Sequence, residues 1–313
     1  NATPIAAASI GQVHRAALPD GREVAIKVQY PGIRESIDSD VDNVATLLRV
    51  SGVLPRELDL APLLGEAKRQ LHEEADYERE AAQMTRFADW LDGHPDYIVP
   101  RPLHELTTAR VLAMDFIDGQ PIEALGEAPQ ETRDAAMRDL IALVLRELFE
   151  FGAMQTDPNF ANYRFQPDTR RLVLLDFGAT RDVDPATAEG YRTLLAAGLA
   201  GDRDAVREAA QAAGFLGEAA IARHRPLVDR MIDIVVTEMN RPGPFDFGDR
   251  GFVEVLREQG MEMAADRSTW HIPPVETLFV QRKISGTALL AARLAARVDV
   301  RELVRPYLAG DSA

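Results

Sequence analysis

The sequence has no cysteine among its 313 residues. Disulfides, thiol catalysis and cysteine–zinc centres are therefore excluded, and a reducing compartment is compatible with the chain. A basic excess is also missing. Fifty Asp and Glu stand against 35 Lys and Arg, for a formal net charge of −15. Broad nucleic-acid binding needs a basic face, so that class is set aside. No apolar run approaches the ~20 residues that a membrane-spanning helix requires. No signal-peptide pattern, internal repeat or low-complexity linker appears. The length suffices for a sizeable core in two lobes rather than two unrelated domains. Asn1 stands only a few residues before the first motif, so an upstream segment is expected.

Against these absences stand Gln155-Thr156-Asp157-Pro158-Asn159-Phe160-Ala161-Asn162 and Leu172 to Arg181. Asp157 and Asn162 are five apart, and Asp176 follows inside Asp-Phe-Gly. A bland reading of Asp157-Pro158-Asn159 is a polar turn. It leaves the ordered set unexplained, because Val24-Ala25-Ile26-Lys27 also lies far upstream in the order that phosphoryl transfer from Mg-ATP uses. In that chemistry one Asp orients the attacking group, while an Asn and a second Asp hold the metals that screen the phosphates. Leu172 to Leu175 is an apolar strand, which presents Asp176 rigidly at its end.

The patterning predicts strands over Gln12 to Ala17 and Arg22 to Gln29, joined by a turn at Pro19-Asp20-Gly21. Helix is expected from about 31 to 92, including one long charged helix over Glu66 to Leu91. Val111 to Ile117 reads as a strand, and Asp118-Gly119-Gln120-Pro121 breaks it, so the lobe boundary is placed there. The expectation is an α+β fold, with a small β-containing lobe over 1–118 and a mostly helical lobe over 119–313. Helix is expected again over Glu131 to Gly152. Beyond Asp176 nearly everything reads as helix, interrupted at Arg241-Pro242-Gly243-Pro244 and Ile272-Pro273-Pro274.

Lys27 sits inside an apolar strand, where a lone ammonium is costly unless paired. The bland alternative is an edge-strand lysine reaching solvent. Candidate partners on the following helix are Glu73, Glu74, Asp76, Glu78 and Glu80. Asp76 and Glu80 share one face, with Glu73 a turn earlier, and a solvated acidic face accounts for Glu73 and Glu78. Where a Gly-rich loop would fold over the phosphates, the chain reads Ala6-Ala7-Ala8-Ser9-Ile10-Gly11-Gln12. Alanine lacks the conformational freedom of glycine, so a stiffer loop is expected. Ala6 to Ser9 can also be read as a short helix opening towards phosphate.

Ala6 to His14, Val24 to Gly32, Glu73 to Ala81, Gln155 to Asn162 and Leu174 to Arg181 together resemble the UbiB/AarF atypical kinase-like family, nearest its ubiquinone-biosynthesis, ADCK-like subgroup. The likeness extends to Phe245 to Gly248 and Val280 to Gly286. It implies a two-lobed protein-kinase-like fold with added helices, and ATP or ADP with Mg2+ as ligands. It implies that Ala6, Ala7, Ala8 and Ser9 form the nucleotide loop, and that Lys27 anchors ATP with Glu80 as its helix partner. Met114, Asp115, Phe116 and Ile117 match the gatekeeper and adenine-binding hinge. Asp157 matches the catalytic Asp, Asn162 and Asp176 the metal ligands, and Glu74 and Asp76 the family's Glu-x-Asp motif. The Lys-x-Gly-Gln segment that this motif meets in the family does not occur in the sequence.

Two departures from ordinary kinases stand out. Asn159 lies where many protein kinases carry a lysine that steadies the transferred phosphate, and no Ala-Pro-Glu follows Asp176. The resemblance implies an ATPase-like enzyme serving ubiquinone biosynthesis; the expected location is the cytoplasm of a bacterium, with the periphery of its inner membrane as the alternative. Its implied partners are ubiquinone-biosynthesis proteins, membrane lipid or quinone precursors, and no nucleic acid. The alternatives are a phosphotransferase on a protein, small molecule or lipid, and a nucleotide-binding scaffold without turnover. Arg293, Arg297, Arg301 and Arg305 recur every four residues, which predicts one basic helix face. Such a face either pairs with local acids such as Asp299 and Glu302 or meets anionic lipid.

Overall fold

The computed structural model describes residues 3–51, 61–271 and 273–308, so the expected break at Ile272 lies outside the described residues. Contacts divide the chain into two units, Asn1–Gln120 with Ala161–Thr180, and Pro121–Phe160 with Arg181–Ala313. The expected lobe boundary fell at 118/119; the contact boundary falls at 120/121 and also assigns 161–180 to the first unit.

In the first unit, β1 (Ala6–Ala8), β2 (Gly11–Ala17), β3 (Glu23–Gln29) and β5 (Val111–Asp115) form an antiparallel sheet in that order. The turn between β2 and β3 falls at the predicted Pro-Asp-Gly. Gly21 adopts φ 88° and donates its N–H to the Leu18 carbonyl at 2.9 Å. Left-handed backbone of this kind costs glycine no Cβ clash, which suits it to the position. The corner before β2 needs a glycine for a different reason. A Cβ on Gly11 would stand 2.1 Å from the Val28 carbonyl oxygen.

Ala6 to Ala8 do not open a helix. Their backbones pair with Val13, Gln12 and Gly11 of β2, so this segment enters a ladder instead of presenting helical N–H groups. Three helices follow β3: α1 (Ile33–Val50), α2 (Ala61–Glu74) and α3 (Tyr77–Trp90). The single helix expected over Glu66 to Leu91 is thus two helices. Asp76 breaks it by capping α3, its carboxylate accepting from the Arg79 N–H at 3.1 Å. The cap satisfies a donor that the first helical turn leaves orphaned. α3 buries Tyr77, Glu80, Ala81, Met84, Phe87 and Ala88, a helical stripe that is apolar except at Glu80.

β4 (Tyr97–Ile98) belongs to a second, four-stranded sheet. Arg171–Leu174 runs parallel to β4 and antiparallel to Tyr163–Gln166. Leu172, Val173 and Leu174 are buried, which fixes the chain direction immediately before Asp176.

The second unit is mostly helical. α4 (Gln130–Arg146) widens into a single π-type turn, Glu147–Phe151, and stops at Gly152 with φ 59°. The short strand Ala153–Gln155 follows and delivers the chain to Asp157. α5 (Pro185–Ala200), α6 (Arg203–Ala212), α7 (Glu218–Met239), α8 (Gly251–Ala265), α9 (Val275–Arg293) and α10 (Val300–Leu308) complete the unit. Val144, Leu148, Met154, Tyr191 and Val280 pack as one core cluster, and Ala197, Val206, Val228, Ile232 and Val236 as another. No described helix is long and apolar enough to cross a membrane.

The arginine spacing does not make one helix face. α9 stops at Arg293, Ala295 turns left-handed at φ 47°, and Arg297 lies on a two-residue strand paired with Phe245–Asp246. Only Arg301 and Arg305 share a helix, α10. Arg293 meets Glu123 at 3.0 Å and Arg297 meets Asp246 at 3.0 Å. Pairing with acids of distant segments, rather than with Asp299 and Glu302, is what these two guanidinium groups do.

Candidate active site

The site of the first unit begins with β3. Its backbone is paired on both edges, by β2 and β5, and Val24, Ala25, Lys27 and Gln29 are buried along it. Lys27 is therefore no edge-strand residue. Its Nζ donates to both carboxylate oxygens of Glu80 at 2.9 Å and to Asp176 Oδ2 at 3.1 Å. The Tyr77 ring centre lies 5.0 Å from the same nitrogen. Among the acidic candidates it is Glu80 that meets the lysine. Glu73 pairs with Arg69 at 3.0 Å, Glu74 accepts from Gln70 at 3.1 Å, Asp76 caps α3, and Glu78 is exposed.

The electrostatics follow from burial. Burial alone would lower Lys27, but the charges of Asp176 and Glu80 outweigh it and hold the ammonium above the usual lysine range. Burial pushes Glu80 up to about 7, against the pull of Lys27. Asp176 is also penalised by burial, yet Lys27 and the Gly178 N–H keep it below the usual carboxylate range. Two carboxylates share one cation here, a surplus of negative charge that suits an incoming metal.

α3 grips the Asp-Phe-Gly segment at several points. Phe177 is buried against Phe87, with ring centres 4.9 Å apart. Arg79 donates to the Gly178 carbonyl at 2.9 Å and to the Thr180 carbonyl at 2.5 Å. Arg79 escaped sequence reasoning; its position beside Glu80 in Tyr77-Glu78-Arg79-Glu80 was the available signal. Asn162 is buried, and its carbonyl accepts from the Leu175 N–H at 3.0 Å. Asn162 and Asp176 are thus tied to the same end of one strand pair.

Oxygen donors are what magnesium takes, and it usually keeps only one or two carboxylates beside substrate phosphates and water. Asp176 is accessible enough, with its side chain 26% exposed, and Asn162 supplies an amide oxygen. Among the described residues no group of three His, Cys, Asp or Glu could hold a metal without such phosphates. The donor set fits a metal that arrives with a nucleotide.

Met114 is buried at the end of β5, opposite Ala25. Asp115 accepts from the Arg101 N–H, and the Phe116 N–H reaches the Glu23 carbonyl at 3.2 Å. The Arg15 guanidinium lies 4.3 Å from the Phe116 ring centre. The strand ends at Asp115, two residues short of the expected Ile117. Asp157 belongs to the second unit, where its Oδ1 accepts from Arg282 at 3.3 Å.

The chain has three lysines, Lys27, Lys68 and Lys283. Lys283 is 1% exposed and reaches Gln155 Oε1 at 3.1 Å and Glu147 at 3.4 Å, all within the second unit. Lys68 is the accessible one, paired with Asp42 at 2.7 Å.

The family model of the ABC1 atypical kinase-like domain matches residues 1–210. This chain belongs to the ABC1 atypical kinase-like family. The mitochondrial atypical kinase coq-8 of Caenorhabditis elegans is 39% identical over 302 residues, covering 95% of this chain and 40% of that protein. The mitochondrial atypical kinase COQ8 of Saccharomyces cerevisiae is 36% identical over 312 residues, covering 98% of this chain and 61% of that one. The chain spans about half the length of the curated relatives it matches. Among solved structures, the complex of Rv3197 with erythromycin from Mycobacterium tuberculosis aligns with a TM-score of 0.75 at 25% identity, over 100% of this chain and 78% of that one. The ABC1 chain described here has the kinase-like α+β fold of that family, with a strand-rich first unit and a mostly helical remainder.

Proposed function

We propose that this ABC1-family chain binds Mg-ATP and hydrolyses it, in support of coenzyme Q biosynthesis. The observation that carries the reading is Lys27 Nζ between Glu80 and Asp176, at 2.9 Å and 3.1 Å. An ammonium fixed by a buried carboxylate on one side and a partly exposed one on the other is poised to exchange the second for phosphate oxygens. Asn162 and Asp176 would hold magnesium, which neutralises phosphate charge when bound. Glu80 keeps Lys27 extended, and Arg79 and Phe177 keep Asp176 in place. Ala6 to Ser9 would border the phosphates as a hairpin edge. Met114 to Ile117 would border the adenine. Asp157 orients the attacking oxygen and accepts its proton. The names of the mitochondrial relatives support the coenzyme Q setting, and ubiquinone-biosynthesis proteins, lipid or quinone precursors are the proposed partners. The missing Ala-Pro-Glu favours water over a docked peptide as acceptor.

The test is phosphate release from Mg-ATP by the purified chain, with and without phenolic quinone precursors. Asp176→Asn should abolish magnesium-dependent nucleotide binding and turnover together. Asp157→Asn should lower turnover far more than binding. Unchanged phosphate release in both variants would remove the assignment.

A further inference from the structure

Asn159 leaves the second unit without the lysine that protein kinases place two residues after the catalytic Asp. Phosphoryl transfer nevertheless needs positive charge on the moving group, because negative charge spreads over its equatorial oxygens. The same unit provides a cation at Asp157 from far along the chain. Arg282, on α9, places Nη2 3.3 Å from Asp157 Oδ1. Its side chain is 47% exposed, so the group is not locked inside packing. A guanidinium carries five N–H donors in a planar fork, and this contact involves a single terminal nitrogen.

The contact is built in rather than incidental. Lys283, the next residue, is buried and bonded to Gln155 and Glu147, which pins α9 to the strand leading into the loop. One turn on, Gly286 lets Pro158 approach so closely that a Cβ there would stand 2.0 Å from the proline Cβ. Residues 282, 283 and 286 of α9 thus meet Asp157, Gln155 and Pro158 in turn. A helix fixed at these neighbouring positions holds the backbone of Arg282 beside the loop, while its half-exposed side chain keeps the reach to change partners.

We propose that Arg282 is a further catalytic residue, holding the transferring phosphoryl group beside Asp157 in the place of the lysine that Asn159 replaces. The inference rests on the proposed ATP hydrolysis. In that step a water oxygen bonds to the γ-phosphorus as the bond to the β,γ-bridging oxygen breaks. The electron pair of that bond leaves with ADP, and the water proton passes to Asp157 and then to solvent. Arg282 donates hydrogen bonds to the equatorial oxygens throughout, where their charge is greatest.

The experiment compares wild type, Arg282→Gln and Arg282→Lys in three measurements: phosphate release from Mg-ATP, affinity for Mg-ADP, and affinity for Mg-ADP with aluminium fluoride, a mimic of the moving phosphoryl group. Arg282→Gln should lose on the order of 10²–10³ in turnover, as removal of one charge-stabilising donor does. It should leave Mg-ADP affinity unchanged and lose the tightening that aluminium fluoride gives the wild type. Arg282→Lys should fall between the two. Wild-type turnover in Arg282→Gln overturns the proposal. So does slow turnover with the aluminium fluoride tightening intact, which makes Arg282 only a support for Asp157. A wild-type chain that neither binds Mg-ADP nor releases phosphate removes the ATPase reading and this inference with it.

Discussion

The two units each bury a lysine against a glutamate, and the two pairs are built differently. Lys27 in the first unit has Glu80 on one side and Asp176 on the other. Lys283 in the second has Glu147 and the neutral amide of Gln155. One pair carries surplus negative charge and keeps a partly exposed edge; the other balances its charges and is sealed. Burial raises Glu147, with Lys283 opposing it, as burial raises Glu80. The sealed pair acts as a brace, whereas the unbalanced pair keeps a partly exposed carboxylate, Asp176, which the proposed function would offer to a new cation.

The sealed pair should show the larger stability effect. Lys283→Met strips Glu147 of its compensating cation in the interior, so the carboxyl must either stay charged unpaired or take a proton, and breaking a buried pair in this way costs ~3–5 kcal/mol. Urea unfolding of Lys283→Met, and of Lys283→Met with Glu147→Leu, measures this. The double variant should regain most of the loss, since both charges are then gone.

Lys27→Met should cost less at low pH and more at high pH. Without the ammonium, Glu80 faces Asp176 alone and is driven above the value of about 7 that it holds beside Lys27. The folded variant then keeps a proton that the unfolded chain releases above the ordinary carboxyl value of ~4.3. Stability therefore falls as pH rises from about 5 towards that raised value, by up to ~1.4 kcal/mol per pH unit, and falls more than in wild type. Unfolding at pH 5 and pH 8 checks the slope; equal losses at both would mean that Glu80 does not take the proton. The smallest effect is expected at the hinge into the unbalanced pair. Asp76→Ala removes the α3 cap and should cost ~1 kcal/mol in thermal unfolding. Any larger loss of nucleotide binding would show that cap strength is transmitted to Glu80 one turn later.

The same contrast explains what was legible in the sequence. The meeting of Lys27 with Glu80 was legible because a lysine inside an apolar strand demands a buried acidic partner, and the Pro-Asp-Gly turn because its geometry suits Gly21. Lys283 and Arg282 carried no local signal as partners of Gln155 and Asp157, since those contacts span more than a hundred residues. Periodicity misled at two places, and helix propensity offered a wrong alternative at a third. The charged run over Glu66 to Leu91 continues its pattern through Asp76, where the cap stops the helix. The alanines at 6–8 are good helix formers, but pairing with β2 overrides that propensity. The arginine spacing runs past Ala295, whose left-handed backbone ends the helix that would have aligned it.

Three lysines in 313 residues, two of them buried in ion pairs, also set how the protein meets amine chemistry. Acylating reagents and lysine-directed cross-linkers will find Lys68 before either of the others. On the proposed function, a nucleotide carrying an acyl-phosphate warhead would meet Lys27 alone of the three. The scarcity makes side-chain amine labelling of this chain close to a one-residue test of that proposal: background at Lys68, and nucleotide-dependent labelling at Lys27 if the proposed site is right.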